Sequence, residues 1–236
     1  MRPVTVKTQS AIPAKKSRVF IVDDHPIVRK GLSLYINGQA DMMACGDAPG
    51  GLDTLKMIEA CRADFVMLDI SLSGPDGIEL LKILREKTPD LPVLVFSLHD
   101  ESIYAERALR AGANGYITKH EPTERVVGAI RHILRGEVYL SDQLTNRVLQ
   151  HFINGPSTPK DPPLDDLSDR ELEVFRLIGD GHGTRQIATE LHISVKTVES
   201  YQAHIKAKLS LRNARELVQH AIEWSLSTKK NQAVSE

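Results

Sequence analysis

Four short apolar runs in the first half of this sequence each end at a polar residue whose side chain can take part in metal or phosphoryl chemistry. The runs cover residues 19–22, 65–68, 93–96 and 116–118. The polar residues that follow them are Asp23, Asp24, Asp69, Ser97 and Lys119. Three carboxylates held close together need a cation, and hard oxygen ligands suit Mg²⁺. A metal ion beside a lysine is an arrangement of charge that binds phosphoryl groups.

Each of these residues also has an ordinary structural explanation. An Asp-Asp pair after a strand is often a polar turn, and a single aspartate such as Asp69 is often the N-cap of a helix. Taken singly, Ser97 would be a loop residue and Lys119 a solvated one. We favour the chemical interpretation because a suitable residue stands at the end of each of four separate runs, in the right order along the chain.

The elements that must position these residues follow from the apolar pattern. The four runs, and a weaker fifth over residues 42–45, are strand-length and do not alternate, which is typical of strands buried on both faces. Amphipathic helical stretches lie between them, and they carry apolar faces at Val28, Leu32, Tyr35 and Ile36; at Leu80, Ile83 and Leu84; and at Val126, Ile130, Ile133 and Leu134. This alternation predicts a doubly wound, five-stranded parallel α/β sheet, whose strand ends converge on one crevice.

Composition limits the remaining possibilities. The chain has 236 residues with 41% apolar side chains, enough for one or two domains with substantial cores. The formal net charge is −1, so bulk charge indicates neither a nucleic acid nor a membrane as partner. The two cysteines, Cys45 and Cys61, form no C-x-x-C pair, which favours a reducing compartment. Without a bilayer-length apolar run or a signal peptide in residues 1–17, we expect a cytoplasmic protein with no membrane partner.

A proline-rich segment divides the chain. Residues 155–163, GPSTPKDPP, contain four of the twelve prolines and predict a semi-rigid spacer. The expected organisation is a disordered tail over 1–17, an α/β domain over 18–140, a helical and Pro-rich linker over 141–164, an all-α domain over 165–228 and a disordered tail over 229–236.

The second block shows only helical periodicity. Ser168 with Glu171 is a capping-box pattern that begins a helix. A short helix over 185–191, a tight turn and a helix from Val195 to Leu209, with Ser194 as its N-cap, predict a helix-turn-helix. Residues 185–215 hold six basic and two acidic side chains, a net charge of +4, whereas the whole block over 165–228 is at −2. This local excess fits contacts with DNA phosphates, although it could equally be the solvated face of ordinary helices.

Family resemblance sharpens the first interpretation. The segments that carry it read FIVDDHPIVRKGL, FVMLDISLSGPDGIELL, LPVLVFSLHD and ALRAGANGYITKHEP. They resemble the receiver domain of NarL/FixJ-type bacterial response regulators over residues 18–140, and this resemblance implies a flavodoxin-like sheet. The resemblance implies that Asp69 takes a phosphoryl group from a sensor histidine kinase or a small phosphodonor. It further implies that Mg²⁺ is held by Asp24, Asp69 and the backbone carbonyl of Ser71, with Asp23 acting through a water molecule.

The same resemblance implies a conformational switch. Lys119 would pair with the phosphoryl oxygens, Ser97 would turn its hydroxyl onto the phosphoryl group, and Tyr116 would swing inward behind it. The family's usual proline four residues after the phosphoacceptor is Ser73 here, with Pro75 two residues later, while Gly77 keeps its expected place.

Two residues that flank the phosphoacceptor site carry a further hypothesis. Ser71 and His99 are expected to set the lifetime of the phosphoryl group by controlling the attack of water. The alternative is that both are ordinary exposed loop residues.

The second block resembles the LuxR-type helix-turn-helix domain, most closely over ISVKTVESYQAHIKAKL. The resemblance implies phosphate contacts from Lys196 and Thr197 and base-edge contacts from Glu199, Ser200 and Ala203. Many relatives carry Lys at the position of Glu199, and a Glu there accepts a hydrogen bond from cytosine N4, so the operator is expected to differ from theirs. The remaining residues expected near the DNA backbone or in the DNA-binding surface are Tyr201, His204, Lys206 and Lys208.

A lone reading helix makes few base contacts, so we expect a homodimer on paired half-sites of double-stranded DNA. The resemblance places the dimer contact on the last helix, with Leu217, Ala221 and Trp224 as candidates, although Trp224 is as readily explained by core packing. Together these features predict a two-component transcription regulator in which Mg²⁺-dependent phosphorylation of Asp69 controls DNA binding. Phosphorylation would either release the helical domain from an inhibited packing or promote dimerisation, and RNA polymerase is a further expected partner.

Two other classes of protein remain as alternatives. A phosphatase with an aspartate nucleophile would also use Asp69 and Mg²⁺, but it usually needs a carboxylate two residues later, where Ser71 stands. An interaction-only module with an unphosphorylated receiver is disfavoured by the full set of acidic, hydroxyl and lysine residues. We therefore expect no enzymatic activity beyond phosphorylation and dephosphorylation of the receiver itself.

Overall fold

The computed structural model describes residues 15–51, 53–72, 77–142, 144–146 and 164–233. The first part of the chain forms five parallel strands in the order β2-β1-β3-β4-β5, which confirms the predicted sheet. The strands are β1 Ser17–Val22, β2 Met42–Ala48, β3 Phe65–Leu68, β4 Val93–Ser97 and β5 Gly115–Thr118. The helices between and after them are α1 Pro26–Asn37, α2 Thr54–Cys61, α3 Gly77–Lys87, α4 Glu101–Arg110 and α5 Thr123–Leu134.

The strands are apolar throughout because both faces of the sheet are covered. Phe20 and Val66 point into one apolar layer, which is shared with α2, α3 and α4. Val19 and Phe65, their neighbours in sequence, point into the opposite layer, which is shared with α1 and α5. Successive side chains of a strand alternate between its two faces, so burial on both sides removes any alternation between apolar and polar residues.

Helices α1, α3 and α5 lie where the apolar spacing predicts them, with Leu32, Ile36, Leu84 and Ile130 buried. Helices α2 and α4 were not predicted. The first has only eight residues, and the buried face of the second consists of Tyr104, Ala105 and Ala108. Two of these three residues are alanines, so the buried face of α4 lacks the set of large aliphatic side chains that marked the predicted helices.

Within residues 164–233, a short 3-10 helix over Leu164–Asp166 precedes four α-helices: α6 Asp169–Gly179, α7 Thr184–Glu190, α8 Val195–Lys208 and α9 Ala214–Ala233. Helix α6 begins with the expected capping box, in which the Ser168 amide donates to Glu171 Oε2 at 2.8 Å and the Glu171 amide donates to Ser168 Oγ at 3.3 Å. Helices α7 and α8 form the predicted helix-turn-helix around Ile187, Val198 and Ile205, all of which are fully buried.

Two boundaries differ from those expected. Strand β1 begins at Ser17, and α9 continues past residue 228 to Ala233, through residues that include neither Gly nor Pro to end a helix. Most of the expected N-terminal tail, residues 147–163 of the linker, the C-terminal residues 234–236, and Ser73 with Pro75 lie outside the described residues. None of the described helices combines the length and the apolar character that crossing a membrane requires.

Candidate functional site

The acidic residues and the lysine meet at the carboxyl ends of β1, β3 and β5. Lys119 Nζ lies 2.6 Å from Asp69 Oδ2 and 2.6 Å from Asp23 Oδ2, so one ammonium bridges two carboxylates. Asp23 and Asp69 are each only 1% exposed. The parallel register of the central strands aligns their ends at the same edge of the sheet, and this alignment brings residues 23, 69 and 119 together.

The charge of Lys119 is maintained by its two partners. Burial by itself lowers the pKa of this ammonium, but the carboxylates of Asp69 and Asp23 outweigh burial and raise the pKa of Lys119 above its usual value. The lysine is therefore a fixed positive charge directly beside the carboxylate of Asp69. A group that brings further negative charge to Asp69 would find a cation already in place.

The residues around Asp69 fit a divalent cation. Asp23, Asp24, His25 and Asp69 each offer one ligand atom, and these atoms all lie within 4.8 Å of one another. His25 Nδ1 contacts Asp24 Oδ1 at 2.7 Å, and the amide of Ser71 donates to Asp69 Oδ1 at 2.9 Å. The carboxylates of Asp23, Asp24 and Asp69 together make an oxygen-rich donor set of the kind that Mg²⁺ prefers.

Gly77 packs directly behind the loop that carries Asp69. A Cβ atom at this position would lie 2.4 Å from Ile70 Cα and 2.7 Å from the carbonyl oxygen of Asp69. These are backbone atoms, so they cannot move aside as a flexible side chain would. The first residue of α3 must therefore be glycine for the loop after β3 to keep its present path.

Ser97 and Tyr116 form a connected hydrogen-bonded group next to the acidic residues. Ser97 Oγ lies 3.1 Å from Ser71 Oγ and accepts from the amide of His99 at 3.2 Å. The hydroxyl of Tyr116 donates to the carbonyl oxygen of His99 at 3.0 Å, and its ring is 1% exposed. Burial raises the pKa of Tyr116 well above its usual range. The tyrosine is therefore already turned inward, and it is tied to the loop that follows Ser97.

His99 is not an exposed loop residue. Its ring stacks on Tyr104 with the centroids 4.3 Å apart, and Nδ1 lies 4.0 Å from Glu173 Oε1 of helix α6. Burial lowers the pKa of His99, and the carboxylate of Glu173 partly opposes that shift. For His99, the alternative of an ordinary exposed loop position is wrong, because the second block covers it. Its expected role in the lifetime of the phosphoryl group stays a prediction.

The sequence left open whether the two blocks contact each other, and the structure shows that they do. Arg107 of α4 pairs with Asp169 of α6, with Nε 3.2 Å from Oδ1, and its guanidinium also donates to the carbonyl oxygens of Leu164 and Leu167. Arg170 donates to main-chain carbonyls of the loop after β3. Charged residues at these positions look like ordinary solvated helix residues, so only the capping signal at Ser168 indicates where α6 begins.

Helix α8 presents most of the residues expected to contact DNA. The side chains of Lys196, Glu199, Ser200 and Ala203 are exposed, and those of Thr197, Tyr201 and Lys206 are half-buried. The N-cap is confirmed, because Ser194 Oγ accepts from the amide of Thr197 at 3.0 Å.

Two of the expected DNA-contacting residues also have partners inside the domain. Lys208 Nζ lies 2.7 Å from Glu171 Oε2, and His204 Nδ1 lies 3.7 Å from Glu171 Oε1. Glu171 belongs to α6, so these contacts fix the C-terminal half of α8 against that helix.

The residues proposed for a dimer contact on α9 divide into two groups. Leu217 and Ala221 are 2% and 0% exposed and pack in the core of this chain, where no second chain can reach them. Trp224 packs against Phe175 with the ring centroids 5.7 Å apart. The exposed large apolar side chains of α9, within residues 214–228, are instead Val218, Ile222 and Leu226.

The fold and these surfaces define a protein with a receiver-type α/β domain joined to a helix-turn-helix domain. Residues 19–131 match the response regulator receiver domain family, and residues 165–221 match the family of bacterial regulatory proteins of the LuxR type. The chain belongs to the two-component response regulators with a LuxR-type DNA-binding domain, which are transcription regulators.

Individual relatives agree with this assignment. The oxygen regulatory protein NreC of Staphylococcus epidermidis is 36% identical over 214 residues, which make up 89% of this chain and 98% of that protein. A crystal structure of a two-component response regulator of the LuxR family from Aurantimonas is 30% identical, with a TM-score of 0.54 over 59% of this chain and 99% of that one. RcsB of Salmonella enterica, solved bound to a promoter, shares the fold at 24% identity and a TM-score of 0.54, over 88% of this chain and 98% of that one.

Proposed function

We propose that this response regulator is switched by phosphorylation of Asp69, with Mg²⁺ as cofactor and a sensor histidine kinase as phosphodonor, and that the switch controls sequence-specific DNA binding. The observation that carries the proposal is the bridge from Lys119 Nζ to Asp23 and Asp69 at 2.6 Å each, in a group of ligand atoms that fits a divalent cation. This arrangement supplies a nucleophile, a metal site and a cation for the transferred phosphoryl group at one edge of the sheet.

The reaction follows from these positions. A carboxylate oxygen of Asp69 attacks the phosphorus of a phosphohistidine, the new P–O bond forms as the P–N bond breaks, and the imidazole keeps the electron pair. Asp24, Asp69 and the carbonyl of Ser71 would hold Mg²⁺, with Asp23 acting through water. Bound there, the ion would neutralise charge on the phosphoryl oxygens. Lys119 would pair with one of those oxygens, and the hydroxyl of Ser97 would turn toward another.

The output of the switch is DNA binding by α8. We assign phosphate contacts to Lys196 and Thr197, and base-edge contacts to Glu199, Ser200 and Ala203, since four of these side chains are exposed and that of Thr197 is half-buried. The rest of the proposed DNA surface consists of Tyr201, His204, Lys206 and Lys208.

The proposed active form is a homodimer on paired half-sites, from which it would act on RNA polymerase. Val218, Ile222 and Leu226 are spaced four residues apart on α9, which places them on one exposed face. We assign the dimer contact to this face, since the buried positions next to it already serve the core of the chain.

Phosphorylation is tested by incubating the full chain with acetyl phosphate and Mg²⁺ and measuring its intact mass. The wild type is expected to gain one phosphoryl group that is lost on mild alkaline treatment, whereas Asp69→Asn is expected to gain none. Genome-wide DNA capture with the same two proteins then tests the consequence for DNA binding. A wild type that stays unmodified, or equal phosphorylation of both proteins, would overturn the proposal.

The roles on α8 are tested with two variants of neighbouring exposed residues. Lys196→Ala is expected to weaken binding about evenly across sequences and to reduce the salt dependence by about one unit of slope. Glu199→Ala is expected to relax base preference at one position, because a glutamate in the major groove accepts from cytosine N4. Wild-type sequence profiles and a wild-type salt slope for both variants would show that these roles are misassigned.

A further inference from the structure

Arg170, the second residue of α6, places its guanidinium on the loop that follows the phosphoacceptor. Its Nη2 donates to the carbonyl oxygen of Ser71 at 3.2 Å and to that of Leu72 at 2.9 Å. Its Nη1 pairs with Glu173 Oε2 at 2.8 Å, and this pairing fixes the orientation of the guanidinium. A side chain of the DNA-binding domain thus bonds to the receiver's main chain two and three residues after Asp69.

The carbonyl of Ser71 is the one that the proposed function gives to Mg²⁺. The amide of the same residue donates to Asp69 Oδ1, so this segment is already drawn against the acidic group. An ion bound directly to that oxygen would lie about 2.1 Å from it. The guanidinium nitrogen would then be a second cation at the same oxygen, and two positive charges this close repel each other strongly in a half-buried site.

We propose that Arg170 and the divalent cation compete for the Ser71 carbonyl. This inference rests on the proposed function, because it depends on the assignment of that carbonyl to the metal. Metal binding loosens the contact of α6 with the receiver, and the α6 contact weakens metal binding in return. The two effects are equal in size because the coupling between two binding events is reciprocal.

The contact that the metal loosens controls the placement of the DNA-binding domain. Helix α6 is also held by the Arg107–Asp169 pair and by Glu173 beside His99. The reading residues Lys196 and Glu199 are exposed while these contacts are made. Docking against the receiver therefore fixes the orientation of the DNA-binding domain but leaves Lys196 and Glu199 exposed. Release of this domain when the metal binds would change how two copies align on paired half-sites.

The first test measures Mg²⁺ affinity by isothermal titration calorimetry on the full chain. Arg170→Ala is expected to bind Mg²⁺ about fivefold more tightly than the wild type, at the low end of measured couplings between sites. Arg185→Ala is the matched control, because it removes an equal charge from an exposed position of the same domain, on helix α7. It is expected to keep the wild-type affinity. Asp24→Asn is expected to abolish the heat of binding and so to locate the metal in the acidic group.

The second test uses the only tryptophan as a reporter of docking. Trp224 lines a cavity of about 250 Å³ between the domains, together with Leu98 and His99 of the receiver. Mg²⁺ is expected to shift the emission of Trp224 in the wild type toward that of metal-free Arg170→Ala, and to leave the emission of Asp24→Asn unchanged.

The outcomes separate the two proposals. Equal Mg²⁺ affinities of the wild type and Arg170→Ala, with binding still abolished in Asp24→Asn, would overturn the competition and leave the metal site intact. Heat of binding that persists in Asp24→Asn would overturn the metal site itself, and the competition with it. An Arg185→Ala variant that tightens binding as much as Arg170→Ala would overturn the role of the Ser71 carbonyl, because the effect would then be one of general charge.

Discussion

Arg107 of α4 and Asp169 of α6 form a nearly buried ion pair between the two domains, with Nε 3.2 Å from Oδ1 and side chains 17% and 3% exposed. The same guanidinium donates to two carbonyls of the segment before α6, those of Leu164 and Leu167. One arginine of the receiver therefore holds both the beginning of the DNA-binding domain and the chain that leads into it.

Removal of this arginine is expected to weaken docking and to lower stability. Arg107→Ala leaves Asp169 as a buried charge without its arginine partner, which costs about 3–5 kcal/mol in the free energy of unfolding. Arg110→Ala removes an exposed partner of Glu106 from the same helix and should cost less than about 1 kcal/mol. Urea unfolding measures both values, and a double-mutant cycle with Asp169→Ala isolates the pair. A coupling energy near zero would show that the pair does not hold the domains together.

Lys119 is expected to be essential for the stability of the metal-free receiver. Lys119→Ala leaves the buried carboxylates of Asp23 and Asp69 without their cation, so the free energy of unfolding should fall by about 3–5 kcal/mol. Mg²⁺ should restore part of this loss, because it supplies positive charge to the same oxygens. Urea unfolding with and without Mg²⁺ measures both effects. Lys82→Ala is a control at an exposed pair with Glu79 and should change stability by less than about 0.5 kcal/mol. A Lys119→Ala variant as stable as this control would contradict the prediction.

The buried imidazole of His99 should make the free energy of unfolding depend on pH below neutrality. The pKa of His99 is lowered by burial, so the folded protein keeps the ring neutral at a pH where the unfolded chain already binds a proton. The stability that depends on neutral His99 is fully present above about pH 6.5, and it is lost as the pH falls through the lower pKa of the folded state. The charged groups that act on the ring are Glu173, Asp69, Arg170 and Arg176.

The test is urea unfolding of the wild type and His99→Phe at several pH values below neutrality. Phenylalanine can still stack on Tyr104 but cannot be protonated. The variant is therefore expected to lose less stability than the wild type as the pH falls. Parallel curves for the two proteins would show that His99 does not contribute to the acid sensitivity.

The two apolar faces of α9 should respond differently to substitution. Leu217→Ala removes a side chain from the core and should lower the free energy of unfolding by about 2–5 kcal/mol. Ile222→Ala changes an exposed side chain and should leave the monomer within about 1 kcal/mol of the wild type. In the phosphorylated chain Ile222→Ala should weaken dimerisation on the order of tenfold, as measured by analytical ultracentrifugation. An unchanged dimer would exclude Ile222 from the dimer interface.

Much of the receiver's chemistry can be predicted because parallel strands obey a simple rule. A buried run gives a strand, and the residue after it stands at one edge of the sheet, so Asp69 and Lys119 could be placed near each other although fifty residues separate them. Helix α8 and its N-cap Ser194 were predictable for a similar reason, since capping and turn signals are local.

Helix α4 was harder to predict because two of its three buried residues are alanines. For α9, the sequence did not show whether its apolar face packs in the chain's own core or forms a dimer contact. Apolar residues four apart show that Leu217 and Ala221 share one face. Periodicity does not reveal whether that face meets the rest of the same chain or a second copy. The packing of α9 against α6 and α8 decides it in favour of the chain's own core.

By itself, the sequence determined the sheet, the acidic residues at its carboxyl edge and the helix-turn-helix, because each depends on neighbours in the chain or on the fixed geometry of parallel strands. Only the tertiary structure decided that Arg107 meets Asp169, that His99 lies under α6, and that Arg170 reaches the carbonyl of Ser71. These contacts join residues far apart in the chain through long, polar side chains. Such side chains follow no periodic pattern, so their partners depend on how two finished domains come to lie against each other.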